Sequence, residues 1–332
     1  MGEERPGSLR PFLVWLALFY AGWGALVFGG GELATALSHW PIAVAMALGS
    51  YVAGSTPMGG GTIGFPVLVL IFDQPAELGR NFSFCVQSIG MTSAGVFILS
   101  RRLPIARHFL LWAIGAMVVV VPAATLWIVP RVPDLAVKLL FAVLWGSFGV
   151  VHLLKLPELV RLEGEGLHTP RRDRVLGLAV GVAGGVAAAL TGVSIDMLLY
   201  MVLVLLLRTD LRIAIPTSVL LMAATSLVGV ATHLALGDLS REVYGNWLAA
   251  APVVALGAPL GAWVVTRIGR APTLLFVSLL CLAQLGFTLW DQRVSGAPLV
   301  ATLVAFALLL ALFRALYDLG RGLARRSGVA LP

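Results

Sequence analysis

Apolar stretches of about twenty residues alternate with short polar clusters along most of the chain, at 12–31, 83–100, 108–129, 135–154, 214–235, 246–266, 271–290 and 297–317. About twenty helical residues cross the roughly 30 Å of hydrocarbon in a bilayer, so the pattern predicts eight continuous transmembrane helices, each bounded by charge, proline or glycine. Two further apolar segments, 41–72 and 176–207, are too long for one span, since some 32 helical residues would reach about 48 Å. Each predicts two shorter helices with a break. In the first segment the break falls at Ser55-Thr56-Pro57-Met58-Gly59-Gly60-Gly61-Thr62, where one proline and three consecutive glycines weaken helix propagation. In the second, Gly181, Gly184 and Gly185 precede Ala187 to Leu190 and then Thr191-Gly192-Val193-Ser194, and a break is expected there by analogy with the first.

The two halves of the chain follow the same order. Val52-Ala53-Gly54-Ser55 matches Val182-Ala183-Gly184-Gly185, and each apolar run ends in a polar connector, Asp73 to Arg80 or Arg208 to Arg212. A span opening with polar residues comes next, Asn81-Phe82-Ser83 or Pro216-Thr217-Ser218. Two internal repeats are expected, at about 41–155 and 176–290, joined by a cytoplasmic linker at 156–175 and flanked by the extra spans 12–31 and 297–317. Basic residues fix the topology. If both broken segments turn back, Arg101, Arg102, Arg107, Lys155 to Arg174, Arg208, Arg212, Arg267, Arg270 and Arg314 to Arg326 all share the side of the N-terminus. The opposite side keeps Arg80, Arg131, Lys138, Arg241 and Arg293. That is a strong positive-inside bias, with both termini cytoplasmic. A hairpin plus three spans is an odd number of crossings, so the second repeat is inverted relative to the first. In such architectures, paired broken helices meet near the midplane and bind substrate.

Composition agrees with a bilayer and removes other classes. Hydrophobic residues make up 59% of the chain and charged residues 12%, with a mean hydropathy of +0.96, whereas soluble chains are about one quarter charged. The net charge of +7 is dispersed among short loops and does not form a nucleic-acid stripe. Cys85 and Cys281 have no second Cys or His at metal spacing, so no disulfide framework, metal or other cofactor is expected. Glu3 and Glu4 beside Arg5 and Arg10, followed by an apolar stretch without a small-x-small cleavage site, read as a retained first span and not a signal peptide. The expected fold is an all-α polytopic protein of the cytoplasmic membrane, with about eight transmembrane helices plus two re-entrant or broken-helix hairpins in inverted repeats.

Gly59-Gly60-Gly61-Thr62-Ile63-Gly64-Phe65-Pro66 and the two-repeat layout over roughly 41–290 resemble the TauE/SafE family of sulfite and organosulfonate transporters. The second motif departs from the family pattern: Leu190-Thr191-Gly192-Val193-Ser194-Ile195-Asp196 stands where a glycine-rich turn and a proline often recur. The resemblance implies transport of sulfite, sulfonates or related small oxyanions, with polar residues near the two motifs lining the pathway.

Those candidate substrate-binding residues are Ser55, Thr56, Gly59, Gly60, Gly61, Thr62, Asn81, Ser83, Gln87, Thr191, Gly192, Ser194, Thr217 and Ser218. Consecutive glycines let backbone N–H groups approach an oxyanion closely, and three in a row exceed what a helix-packing seam requires. Hydroxyl and amide side chains in the spans after the hairpins could replace an anion's hydration shell, although interhelical hydrogen bonding is their ordinary use. Asp196 is the acidic residue well inside an apolar segment. Reversible protonation would let a proton travel with or against the substrate, and the competing reading is a structural hydrogen-bonding acid. Arg80 lies on the cation-poor side and is a candidate for attracting anions, with snorkelling as its bland alternative. His233 near a span end reads as solvated, and Trp40, Trp112, Trp127, Trp247 and Trp290 as interfacial belt residues.

An intramembrane hydrolase would need a nucleophile and a base, but Gly192-Val193-Ser194-Ile195-Asp196 lacks the second glycine of a nucleophile elbow. The chain therefore reads as a transporter and not an enzyme. An anion channel is the alternative, and a homo-oligomer is compatible with the sequence. The expected partners are the bilayer, a small anion and protons.

Overall fold

The computed structural model describes residues 7–268 and 270–327. Hydrocarbon offers backbone groups no hydrogen-bond partners, so a spanning segment has to satisfy its own N–H and C=O groups, which a helix does. The helices are α1 (Arg10–Gly24, continued by a π-helical turn Ala25–Gly29), α2 (Leu33–Ser38), α3 (Trp40–Ser55) and α4 (Gly61–Pro66, continued by a π-helical turn Val67–Ile71). Next come α5 (Ala76–Ser100), α6 (Arg107–Trp127), α7 (Asp134–Leu159), α8 (Pro170–Thr191) and α9 (Ile195–Met201, continued by a π-helical turn Val202–Leu206). The remainder are α10 (Leu211–Leu236), α11 (Arg241–Ile268), α12 (Arg270–Asp291) and α13 (Gly296–Arg326). Glu3, Glu4 and Arg5 lie outside the described residues, as do the side chains of Arg267 and Arg270.

Among the described residues, nine helices are long and apolar enough to cross a membrane. Eight correspond to the expected spans, and the ninth is α8. The segment 176–207 is therefore an unequal pair: the 22 residues of α8 followed by the short α9. Gly181, Gly184 and Gly185 do not break α8. A methyl group on Gly181 would lie 2.5 Å from the Ala113 carbonyl of α6, so the small residues bring α8 onto α6, the usual use of glycine between membrane helices. The break comes later, where Gly192 (φ 76°) and Ser194 (φ 86°) both adopt the left-handed conformation and the Gly192 N–H closes α8 on Ala188 O at 2.7 Å. The first break is as expected: α3 ends at Ser55, Thr56 is extended, and α4 begins at Gly61.

Both broken pairs leave on the side where they entered. At the base of α8–α9, the Leu167 N–H donates to Leu207 O (2.7 Å) and the Asp210 N–H to Gly164 O (3.1 Å). The base of α3–α4 lies at the other end of α10: Arg241 donates to Glu32 at 2.7 Å, and Ala76 shares a cavity with Asp238. Each half-helix then ends in a π-helical turn of nearly the same sequence, Val-Leu-Val-Leu-Ile at Val67–Ile71 and Val-Leu-Val-Leu-Leu at Val202–Leu206. A non-glycine residue with positive φ follows each turn, Asp73 (51°) and Arg208 (57°). The span expected from 83 starts earlier, at Ala76, because Asp134 accepts its N–H at 2.6 Å; the polar residues Arg80 and Asn81 are thus inside α5.

One aromatic face of α7 supports both half-helices. Phe65 of α4 stacks on Phe141 at 4.5 Å, and the Tyr200 hydroxyl of α9 lies 3.0 Å from His152 Nε2. The linker expected at 156–175 shortens to 160–169, since α7 continues to Leu159 and α8 starts at Pro170. Arg208, which reads in the sequence as a loop cation, is 2% exposed. Its guanidinium donates to Glu158, and Glu158 also accepts the Tyr317 hydroxyl of α13. Arg208 Cζ lies 5.4 Å and Lys155 Nζ 4.2 Å from the centre of the Tyr317 ring, so two cations share one ring face. Trp40, Trp127 and Trp290 are exposed at helix ends, as belt residues are.

Candidate functional site

Both breaks rest on α5. Gly79, Ser83 and Gln87 recur every four residues and so form one stripe of the helix, all of it buried. A methyl group on Gly61 would fall 2.7 Å from Ser83 Oγ and 2.6 Å from Val193 Cγ1. One on Gly192 would fall 2.5 Å from the Arg80 carbonyl and 2.8 Å from Ser83 Cβ. The two breaks therefore meet over Ser83, with backbone against backbone. Gln87 spans the junction: its Nε2 donates to Ser83 O and to Gly192 O, both at 2.9 Å.

Most candidate hydroxyls spend their single hydrogen within their own helix. Ser55 donates to Tyr51 O (2.7 Å), Thr56 to Val52 O (2.7 Å), Ser83 to Gly79 O (2.7 Å) and Thr191 to Ala187 O (2.8 Å). Thr217 donates to Ile213 O (2.6 Å) and Ser218 to Ile215 O (2.8 Å). Thr217 Oγ1 also accepts the Ala106 N–H at 3.0 Å, which ties it to the start of α6 and away from the breaks. Asn81 Oδ1 accepts from Arg80 Nε at 2.9 Å. The Thr62 hydroxyl is buried without a hydrogen-bond partner, and Ser194 Oγ lies 3.3 Å from Thr191 Oγ1. Gly59, Gly61, Ser83, Gln87, Thr191, Gly192, Ser194 and Asp196 thus gather around the crossing, while Thr217 does not.

Asp196 is fully buried in the first turn of α9. Its Oδ1 accepts the Met197 N–H at 2.9 Å, and the N–H groups of Gly59 and Ser194 face the carboxyl. Oδ2 has no hydrogen-bond partner, and neither has Gln87 Oε1. A methyl group on Gly59 would overlap Gln87 Oε1 and lie 3.2 Å from Asp196 Oδ2, so these two oxygens crowd one side of the Gly59 α-carbon. Only glycine fits there.

Arg80, 5% exposed, lines a cavity of about 630 Å³ together with Glu77, Thr125, Asp134, Leu190 and Asp238. Its Nη2 is 3.7 Å from Glu77 Oε1, and its own carbonyl abuts Gly192, so the cavity ends beside the second break. His233 is not solvated as expected. It is fully buried, with Nδ1 2.9 Å from Asp238 Oδ1, because α10 continues past it to a left-handed cap at Gly237 that folds Asp238 back. Sequence reasoning passed over Asp238, whose one signal is its place directly after that cap. Among the described residues no group of three or more His, Cys, Asp or Glu side chains could hold a metal ion.

The profile of the sulfite exporter TauE/SafE family matches residues 42–289, a range that takes in both broken pairs and the three helices after each. No curated protein and no solved structure matches the chain. With its multiple membrane-spanning helices and a match over most of its length, the chain belongs to the sulfite exporter TauE/SafE family of membrane transporters.

Proposed function

We propose that this chain is a secondary transporter that moves a small sulfur oxyanion, of the sulfite or organosulfonate class, across the cytoplasmic membrane by alternating access, with Asp196 coupling the movement to protons. The observation that carries this reading is the meeting of two broken helix pairs over Ser83 with a buried carboxyl beside it. The repeats at about 41–155 and 176–290 are read as inverted copies; the bases of the two pairs at opposite ends of α10 and the shared Val-Leu-Val-Leu turns support this. The first N–H groups of a helix have no intrahelical partner, so the opposed starts of Gly61–Ile71 and Ile195–Leu206 offer donors to an oxyanion near the midplane. Arg80, at the end of the 630 Å³ cavity, attracts the anion before it reaches the breaks. With most hydroxyl hydrogens committed within their own helices, the substrate is held mainly by backbone N–H groups and by Thr62. Both termini lie on the cytoplasmic side under the positive-inside rule.

A channel would use similar broken helices, but Gly59, Gly61, Gly192 and Asp196 are all buried, and a centre closed to solvent favours a carrier. The test is flux into proteoliposomes with sulfite, sulfate, thiosulfate, sulfoacetate and simple carboxylates, with and without a pH gradient. Saturable exchange of one of the sulfur anions, accelerated by the gradient, is expected. Asp196→Asn should retain exchange and lose the response to the gradient. Unchanged coupling in that variant removes the proton role from Asp196, and failure of every sulfur anion removes the substrate class.

A further inference from the structure

We propose that Gln87 is the resident partner of a proton on Asp196, holding that proton between the two breaks instead of binding substrate. The inference rests on the reading of Asp196 as a protonatable site.

Gln87 Nε2 lies 2.9 Å from two carbonyl oxygens, those of Ser83 and Gly192. Carbonyl oxygens only accept, so the NH₂ end of the amide belongs there and the orientation of the side chain is settled by its partners. Oε1 then points the other way, to the face of Gly59 that Asp196 Oδ2 also occupies. Both oxygens are buried and unpartnered. An amide oxygen accepts only, and so does an ionised carboxylate, so the pair is satisfied by a hydrogen or a cation between them and by nothing else. The tight fit against the Gly59 backbone favours the hydrogen: a protonated Oδ2 donates to Oε1.

An ionised Asp196 is not stranded either. Its carboxylate keeps the Met197 N–H on Oδ1 and faces the N–H groups of Gly59 and Ser194. The site is therefore furnished for both charge states, as a proton carrier has to be. When the O–H bond of Asp196 breaks, the proton passes to water admitted as the centre opens, and two bare acceptors are left facing each other. That repulsion is relieved by moving Gly59, which belongs to the first break, or Gln87, which is bonded to the second break through Gly192. One proton thereby acts on both breaks at once.

Infrared difference spectra of the purified full chain in lipid nanodiscs, between acidic and alkaline buffer, test this without knowledge of the substrate. The expected wild-type signal is a protonated-carboxyl C=O stretch that vanishes as pH rises and is missing in Asp196→Asn. In Gln87→Met the band should move to higher frequency, and its titration midpoint should fall by about half to one pH unit, because an acid without its acceptor gives up its proton more readily. Gly59→Ala, which displaces Oε1 while keeping the amide, should shift the band in the same direction and serves if Gln87→Met does not fold. A band removed by Asp196→Asn but unchanged by both other substitutions overturns the role of Gln87 and leaves Asp196 as the proton site. A spectrum with no titrating band that Asp196→Asn removes overturns the underlying reading. Loss of the band on adding sodium at fixed pH makes the gap a cation site and overturns the proton assignment.

Discussion

Gly59 and Gly60 are neighbours of the same residue type with different tolerance. A side chain at Gly59 would overlap Gln87 Oε1, at the tip of a side chain whose nitrogen is already bonded twice. At Gly60 the nearest obstacle is the flexible Met46 methyl, 3.2 Å away. Gly59→Ala should cost about 1–3 kcal/mol through the two hydrogen bonds that must yield, and Gly60→Ala clearly less. Thermal unfolding in detergent compares them, and equal losses would remove the special fit at Gly59. The residue types at this crossing were partly legible in the sequence. Asp196 stands out because an acid in an apolar run is rare, and the glycine run because three in a row exceed a packing need. Gln87 carries no such signal, since its orientation depends on a carbonyl 105 residues away. The hydroxyls mislead for a related reason: Ser83 and Thr191 look like ligand donors, but whether a hydroxyl bonds back to its own helix does not show in the residue type.

The two broken pairs differ in how openly their sequences announce them. Pro57 and the glycine run mark the first, whereas the glycines that suggest the second belong to the α6–α8 contact, and its break is made by Gly192 and Ser194. A serine at φ 86° is set by its surroundings and not by its own preference. The fixing of α9 is equally hidden. Arg208 is buried against Glu158 and Tyr317, contributed by α7 and α13, and nothing near it in sequence signals burial. Removing one member of a buried ion pair leaves the other uncompensated. Glu158→Gln should therefore destabilise by up to about 3 kcal/mol, moderated because the Glu158 side chain is 22% exposed. Adding Arg208→Met should recover most of that loss. The unfolding temperatures of the single and double variants decide the point, and a silent Glu158→Gln would make the pair a bystander.

Across the whole molecule, the distribution of arginine and lysine carried more than any motif, because the choice between crossing and turning back changes the side of every later loop. The bonds between Gly164–Leu167 and Leu207–Asp210 agree with turning back. Single cysteines at the exposed positions Arg131 and Arg293 should react with a membrane-impermeant thiol reagent on intact cells. Those at Arg101 and Glu163 should react only after permeabilisation; Cys85 and Cys281 are buried and give a low background. A mixed pattern would sink the shared-side topology. The clamp on Arg208 also sets an order for biogenesis. Tyr317 leaves the ribosome after Lys155, Glu158 and Arg208 have all been made, so the base of the second pair stays unlocked through most of synthesis. An unfinished chain carries a cation in the membrane with half of its cover absent, a mark by which quality-control proteases can tell an incomplete copy from a finished one.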